Sequence, residues 1–181
     1  MSSERIFQRL ALLAELVRRA SLGRTAIMKL FFFLQESRGV RLGYEFSLYS
    51  YGPFDSDVLA DISTAERLNV LKSNIVYYSS GTGYEYSLGS DVKSVEPLAA
   101  DFITANTKNI DWVLSNFGNR TAGNLELLST LLFVAKFHNP RHVRELIDQV
   151  GKIKPHFNPD QIQHGFDELV SMEVLRNGPV H

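Results

Sequence analysis

Apolar residues recur at helical spacing through the start of the chain and then switch to strict alternation. Ile6, Leu10, Leu13, Leu16 and Val17 mark a first amphipathic helix that ends by Gly23. A second helix is predicted over about 25–37, with Ile27, Leu30, Phe31 and Leu34 on one face. The run Phe31-Phe32-Phe33 makes it apolar almost all round, which belongs to a helix at the centre of a core. Gly39 and Gly43 bracket a turn, and residues 44–51 (YEFSLYSY) then alternate as a strand does. In that strand Tyr44, Phe46 and Leu48 share one face, and Tyr49 and Tyr51 the other. Phe31, Leu34, Phe46, Leu48 and Ile62 are expected to be buried together.

After the turn at Gly52-Pro53, a third helix carries Phe54, Val58, Ile62 and Ala65 and closes near Asn69. Two short strands follow, 70–78 and 84–88, with Ser-Ser-Gly-Thr-Gly between them as a hairpin loop. Helix, helix, strand, helix and hairpin follow the winged-helix order. The second half reads as all-helical. Helices are predicted from Pro97 to Gly118, around Leu125–Ala135, and after two Asn-Pro pairs, Asn139-Pro140 and Asn158-Pro159, each read as a cap plus first turn. Val174-Leu175 could add a strand. The expected fold is mainly α with a small antiparallel sheet (α+β). A winged-helix-like lobe over 1–90 packs on an all-helical lobe over 91–181.

Charge alters this picture. The chain's net charge is −1, which offers no overall attraction to nucleic acid or anionic membranes. Residues 1–43 hold eight basic side chains against three acidic ones, a net of +5, whereas residues 44–90 hold two against six, a net of −4. The third helix, the one a winged helix inserts into DNA, opens with Asp55 and Asp57 and continues to Asp61. Groove readers use Arg, Lys, Asn or Gln there, and aspartates repel phosphates. Acids in a first turn also suit the helix dipole and the cap, so helix-start chemistry accounts for them equally.

Candidate chemistry is sparse. Without cysteine there are no disulfides or thiolate metal sites, in keeping with a reducing cytoplasm. No apolar run approaches the roughly 18 residues of a membrane span. His138 and His142 are separated by a predicted helix start, as are His156 and His164, so neither pair reads as a metal site. Gly81-Thr-Gly83 lacks the further glycine and following helix of a phosphate loop. No catalytic, cofactor-binding or metal-ligating residue is assigned.

The segments Ala26-Ile-Met-Lys-Leu-Phe-Phe-Phe-Leu34 and Tyr49-Ser-Tyr-Gly-Pro-Phe54, with Gly39 and Gly43 between them, resemble the signature of YwgA-like proteins. They are also similar to the wider Panacea (SocA-like antitoxin) group, over about residues 24–66. The matching positions are Lys29, Leu30, Phe31, Tyr51, Gly52 and Pro53. That resemblance implies a non-enzymatic interaction module that binds a protein directly, as an antitoxin or adaptor does. The expected partner is a toxin or another basic protein, and the expected binding residues are Tyr49, Tyr51, Phe54, Asp55, Asp57 and Asp61. The alternative is a DNA-binding regulator that uses the basic first two helices. Homo-oligomerisation stays open.

Overall fold

A computed structural model describes residues 3–78 and 81–176. Ser79, Ser80 and the tail from residue 177, with His181, lie outside the described residues, as does the side chain of Tyr78. In chain order the elements are α1 (Ser3–Arg19), α2 (Arg24–Glu36), β1 (Ser47–Tyr49), β2 (Gly52–Phe54), α3 (Ser56–Arg67), β3 (Leu71–Tyr78), β4 (Gly81–Leu88), α4 (Ala100–Phe117), α5 (Ala122–Phe137), α6 (Val143–Ile153) and α7 (Pro159–Ser171). Two 3-10 turns, Val92–Ser94 and Glu96–Ala99, precede α4. The fold is mainly α, with two antiparallel pairs of strands, β1 with β2 and β3 with β4. No helix among the described residues is long and apolar enough to cross a membrane.

The chain forms two compact units, and the division falls elsewhere than residue 90. The first comprises residues 1–46 and 55–120, so α4 belongs to it. The second comprises residues 47–54 and 121–181, so the β1–β2 hairpin belongs with α5, α6 and α7.

In the first unit α1 packs on α3 and α4, and α2 packs on α4. Every residue of α2 from Ile27 to Leu34 is buried, including Lys29, as a helix apolar all round requires. Phe33 stacks on Phe117 of α4 with ring centroids 3.8 Å apart. Leu22, between α1 and α2, makes a single antiparallel bridge to Tyr86 of β4. The order is thus helix, bridge residue, helix, helix, hairpin. β4 starts at Gly81 rather than at residue 84, so Gly81-Thr-Gly83 lies in the strand and pairs with Val76–Tyr78.

Residues 44–46 are not a strand, although their alternation predicts one. Side chains take the hydrogen bonds that a neighbouring strand would have taken. The Gln35 amide both accepts from the Tyr44 N–H and donates to the Tyr44 carbonyl, each at 2.9 Å. The Glu45 N–H donates to Asp55 Oδ2 at 2.5 Å. Pairing begins only at Ser47. Of the five residues expected in one core, Phe31, Leu34 and Ile62 are buried in the first unit. Phe46 is half-buried, edge-on to Phe32, and Leu48 is half-buried in the second unit.

In the second unit α5 is buried continuously from Leu125 to Ala135, and α6, α7 and β2 pack on it. The two Asn-Pro pairs do opposite things. Asn158 caps α7 with Pro159 in the first turn and a full capping box to Gln161. Asn139 instead takes φ +48 just past the end of α5, and Pro140 blocks continuation, so this pair is a helix stop. The next helix, α6, starts later, capped by His142, whose Nδ1 accepts from the Glu145 N–H. Val174 and Leu175 form a bend, with no strand.

Candidate functional site

The acids of the third helix are mostly structural. Asp55 is the N-cap of α3, and its Oδ1 accepts from the Asp57 N–H at 2.7 Å. Asp57, in the first turn, keeps an exposed side chain 3.9 Å from Arg9. Asp61 is 7% exposed and is withdrawn from any binding surface, contrary to its expected role. Its Oδ2 accepts from the Tyr44 hydroxyl at 2.7 Å and lies 3.3 Å from Arg9 Nη1. Arg9, itself fully buried, also donates to the carbonyls of Leu42 and Gly43 and lies 3.8 Å from the centroid of the Tyr44 ring. Burial pushes the Asp61 carboxyl up in pKa, while Tyr44 and Arg9 oppose that shift. Burial, with the adjacent Asp61 charge, raises the Tyr44 hydroxyl far above the usual tyrosine range.

The basic excess of residues 1–43 is likewise largely used inside the first unit. Arg9 and Lys29 are buried. Arg18 pairs with Glu15 and Glu96, and Arg19 with Glu15 and Asp111. Arg38 lies over Trp112 and Arg24 over Tyr84.

The aromatic residues of the expected site belong to the second unit. Ser50 and Tyr51 form a two-residue turn between the paired Tyr49 and Gly52. Gly52 takes φ +88, a region that disfavours any side chain. A Cβ built there would also stand 3.1 Å from Ser129 Oγ and 3.2 Å from Thr130 Oγ1 of α5. Pro53 is buried opposite Leu48, tolerated because each strand of a two-stranded ladder is an edge. The turn therefore seats a hairpin on α5.

That hairpin is held from beneath by a residue the sequence pattern left unmarked. Lys154, at the end of α6, is buried and donates to the carbonyls of Tyr49 and Ser50, the former at 3.3 Å. Its charge pairs with Glu126 of α5 at 2.7 Å, and His156 Nε2 lies 3.4 Å from the same carboxylate oxygen. With the backbone fixed in this way, the side chains of Tyr49 and Tyr51 stand 61% and 74% exposed. Phe54 is half-buried, its ring 5.1 Å from that of Tyr49. A lone carboxylate inside the run Leu125-Glu-Leu-Leu128 was the readable signal for Lys154, since a buried charge needs a partner.

Tyr49, Tyr51 and Phe54 thus lie in one compact unit, and Asp55, Asp57 and Asp61 in the other. The motif residues Lys29, Leu30, Phe31, Gly52 and Pro53 are all buried. Of the remaining tyrosines, Tyr86 is buried while Tyr77 and Tyr84 are exposed on the β3–β4 hairpin. Searches against protein-family models and against curated proteins returned no match to this chain.

Proposed function

We propose that the protein is a non-enzymatic interaction module, antitoxin-like or adaptor-like, that binds a protein partner through the Tyr49-Ser50-Tyr51 hairpin. The observation that carries this reading is the pairing of two exposed tyrosines with a buried backbone lock. Tyrosine supplies a large amphipathic contact area and has few rotatable bonds to immobilise. Lys154 and Gly52 hold the intervening backbone, so little ordering cost is left for the moment of binding. The resemblance to direct-binding antitoxins supports the same reading. Asp57 of α3 keeps an exposed carboxylate that suits a basic partner, and that contribution weakens with salt. The DNA-reader alternative loses support, because most basic residues of the first two helices are buried, paired with acids or laid over rings.

A photo-crosslinking amino acid at position 51, expressed in the native cell, tests this. The expected result is a discrete protein adduct that is absent when the crosslinker replaces Leu98, an exposed residue of the first unit. Adducts at position 98 but not 51, or tight duplex DNA binding by the unmodified chain, would count against it.

A further inference from the structure

A cleft lies in the first unit, on residues that the protein-binding reading does not use. The first turns of α1, the loop after α2 and the first turns of α4 line an open cleft of about 440 Å³. That volume is within the range of small-molecule sites. Arg5 of α1 and Arg41 of the loop line it from two elements. Gly39, at φ +69 with empty space where a side chain would stand, keeps the loop from filling it. From α4 come Phe102 and Asn106, one helical turn apart. The Asn106 amide is fixed by donating to the Phe102 carbonyl at 2.8 Å. From α1 come Glu4 and Gln8, also one turn apart and hydrogen-bonded at 3.3 Å.

These groups differ in kind, and together they select a ligand. Guanidinium groups take a phosphate in forked, charge-assisted pairs. An aromatic ring offers a stacking face to a base. A carboxylate beside two arginines opposes a bare anion, but it accepts well from a ribose hydroxyl, as acidic residues do in dinucleotide sites. We infer that this cleft binds a nucleoside monophosphate, with its phosphate on Arg5 and Arg41, its ribose at Glu4 and its base against Phe102.

Calorimetric titration of the full chain with AMP, adenosine and inorganic phosphate at low salt tests the inference. AMP should bind at one site, about tenfold or more tighter than either adenosine or phosphate. Arg41→Ala, an exposed position, should weaken AMP by about tenfold or more. Phe102→Leu, which keeps apolar volume, should weaken AMP and leave phosphate unchanged. AMP binding no tighter than phosphate, or unaltered in both variants, would overturn the assignment. So would binding confined to an oligonucleotide and lost in Arg41→Ala, which would make the cleft a nucleic-acid contact. Tyr49 and Tyr51 lie in the other unit, so the hairpin reading stands or falls separately.

Discussion

Each compact unit contains a buried cation paired with a carboxylate, Arg9 with Asp61 and Lys154 with Glu126, and the two pairs serve different ends. In the first unit Arg9 and Asp61 close over Tyr44, whose ring and hydroxyl are both consumed in the core. In the second, Lys154 and Glu126 sit under a hairpin whose tyrosines are left exposed. Arg9 spends its forked donors on a carboxylate and two carbonyls of a connecting loop. Lys154, a point charge, leans on two turn carbonyls and a single carboxylate oxygen. The contrast separates tyrosines that build the fold from tyrosines that the fold displays. It also shows that a buried ion pair is a device for fixing irregular backbone in both units.

The comparison can be broken at its strongest point first. Asp61→Ala removes the buried carboxylate that pairs with Arg9, and stability should fall by about 3–5 kcal/mol, read as a lower urea midpoint. A loss within about 0.5 kcal/mol, the range of surface changes, would mean the pair is not buried as described. Lys154→Met should cost somewhat less, roughly 3 kcal/mol, because His156 remains near the abandoned Glu126. Its distinctive signature is faster amide exchange at residues 49–52 than the global loss of stability accounts for.

Gly52→Val comes next, at roughly 1–3 kcal/mol from a side chain forced into a positive φ. Contact with Ser129 and Thr130 adds to that strain. An unchanged melting temperature would remove the turn from the account. Tyr44→Phe should cost least, about 1 kcal/mol, for one buried hydrogen bond. Its second effect is on pH dependence. The folded-state pKa of Tyr44 is raised above 10.0, so the folded chain holds that proton more tightly than the unfolded chain. The contribution is complete below pH 10 and is lost as pH climbs beyond it. The phenylalanine variant should therefore lose part of the alkaline fall in stability.

Much of the helical framework was legible because period alone determines it. The faces of α1 and α2, the cap at Asn158 and the strand pair after α3 all follow from apolar spacing, cap and turn chemistry. Where side chains replace backbone partners, period misleads. Residues 44–46 alternate like a strand, yet Gln35 and Asp55 take their hydrogen bonds. Asn139-Pro140 has the composition of a helix start, yet a positive φ at Asn139 makes it a stop. Charge was the harder signal. Arg9 recurs with Ile6 and Leu13 on the apolar face of α1, which marks it as buried, but nothing local names Asp61 as its partner. The exposed tyrosines were readable as candidates; the lock beneath them depends on a contact more than a hundred residues away in sequence.

The most direct measurement takes the protein crosslinked at position 51 and determines its affinity for Tyr49→Ser/Tyr51→Ser against the unmodified chain. A weakening of about thirtyfold or more, the loss expected of central aromatic contacts, is predicted, with the thermal melt unchanged because both side chains are exposed. Equal affinity in the two proteins would contradict the hairpin as the binding surface.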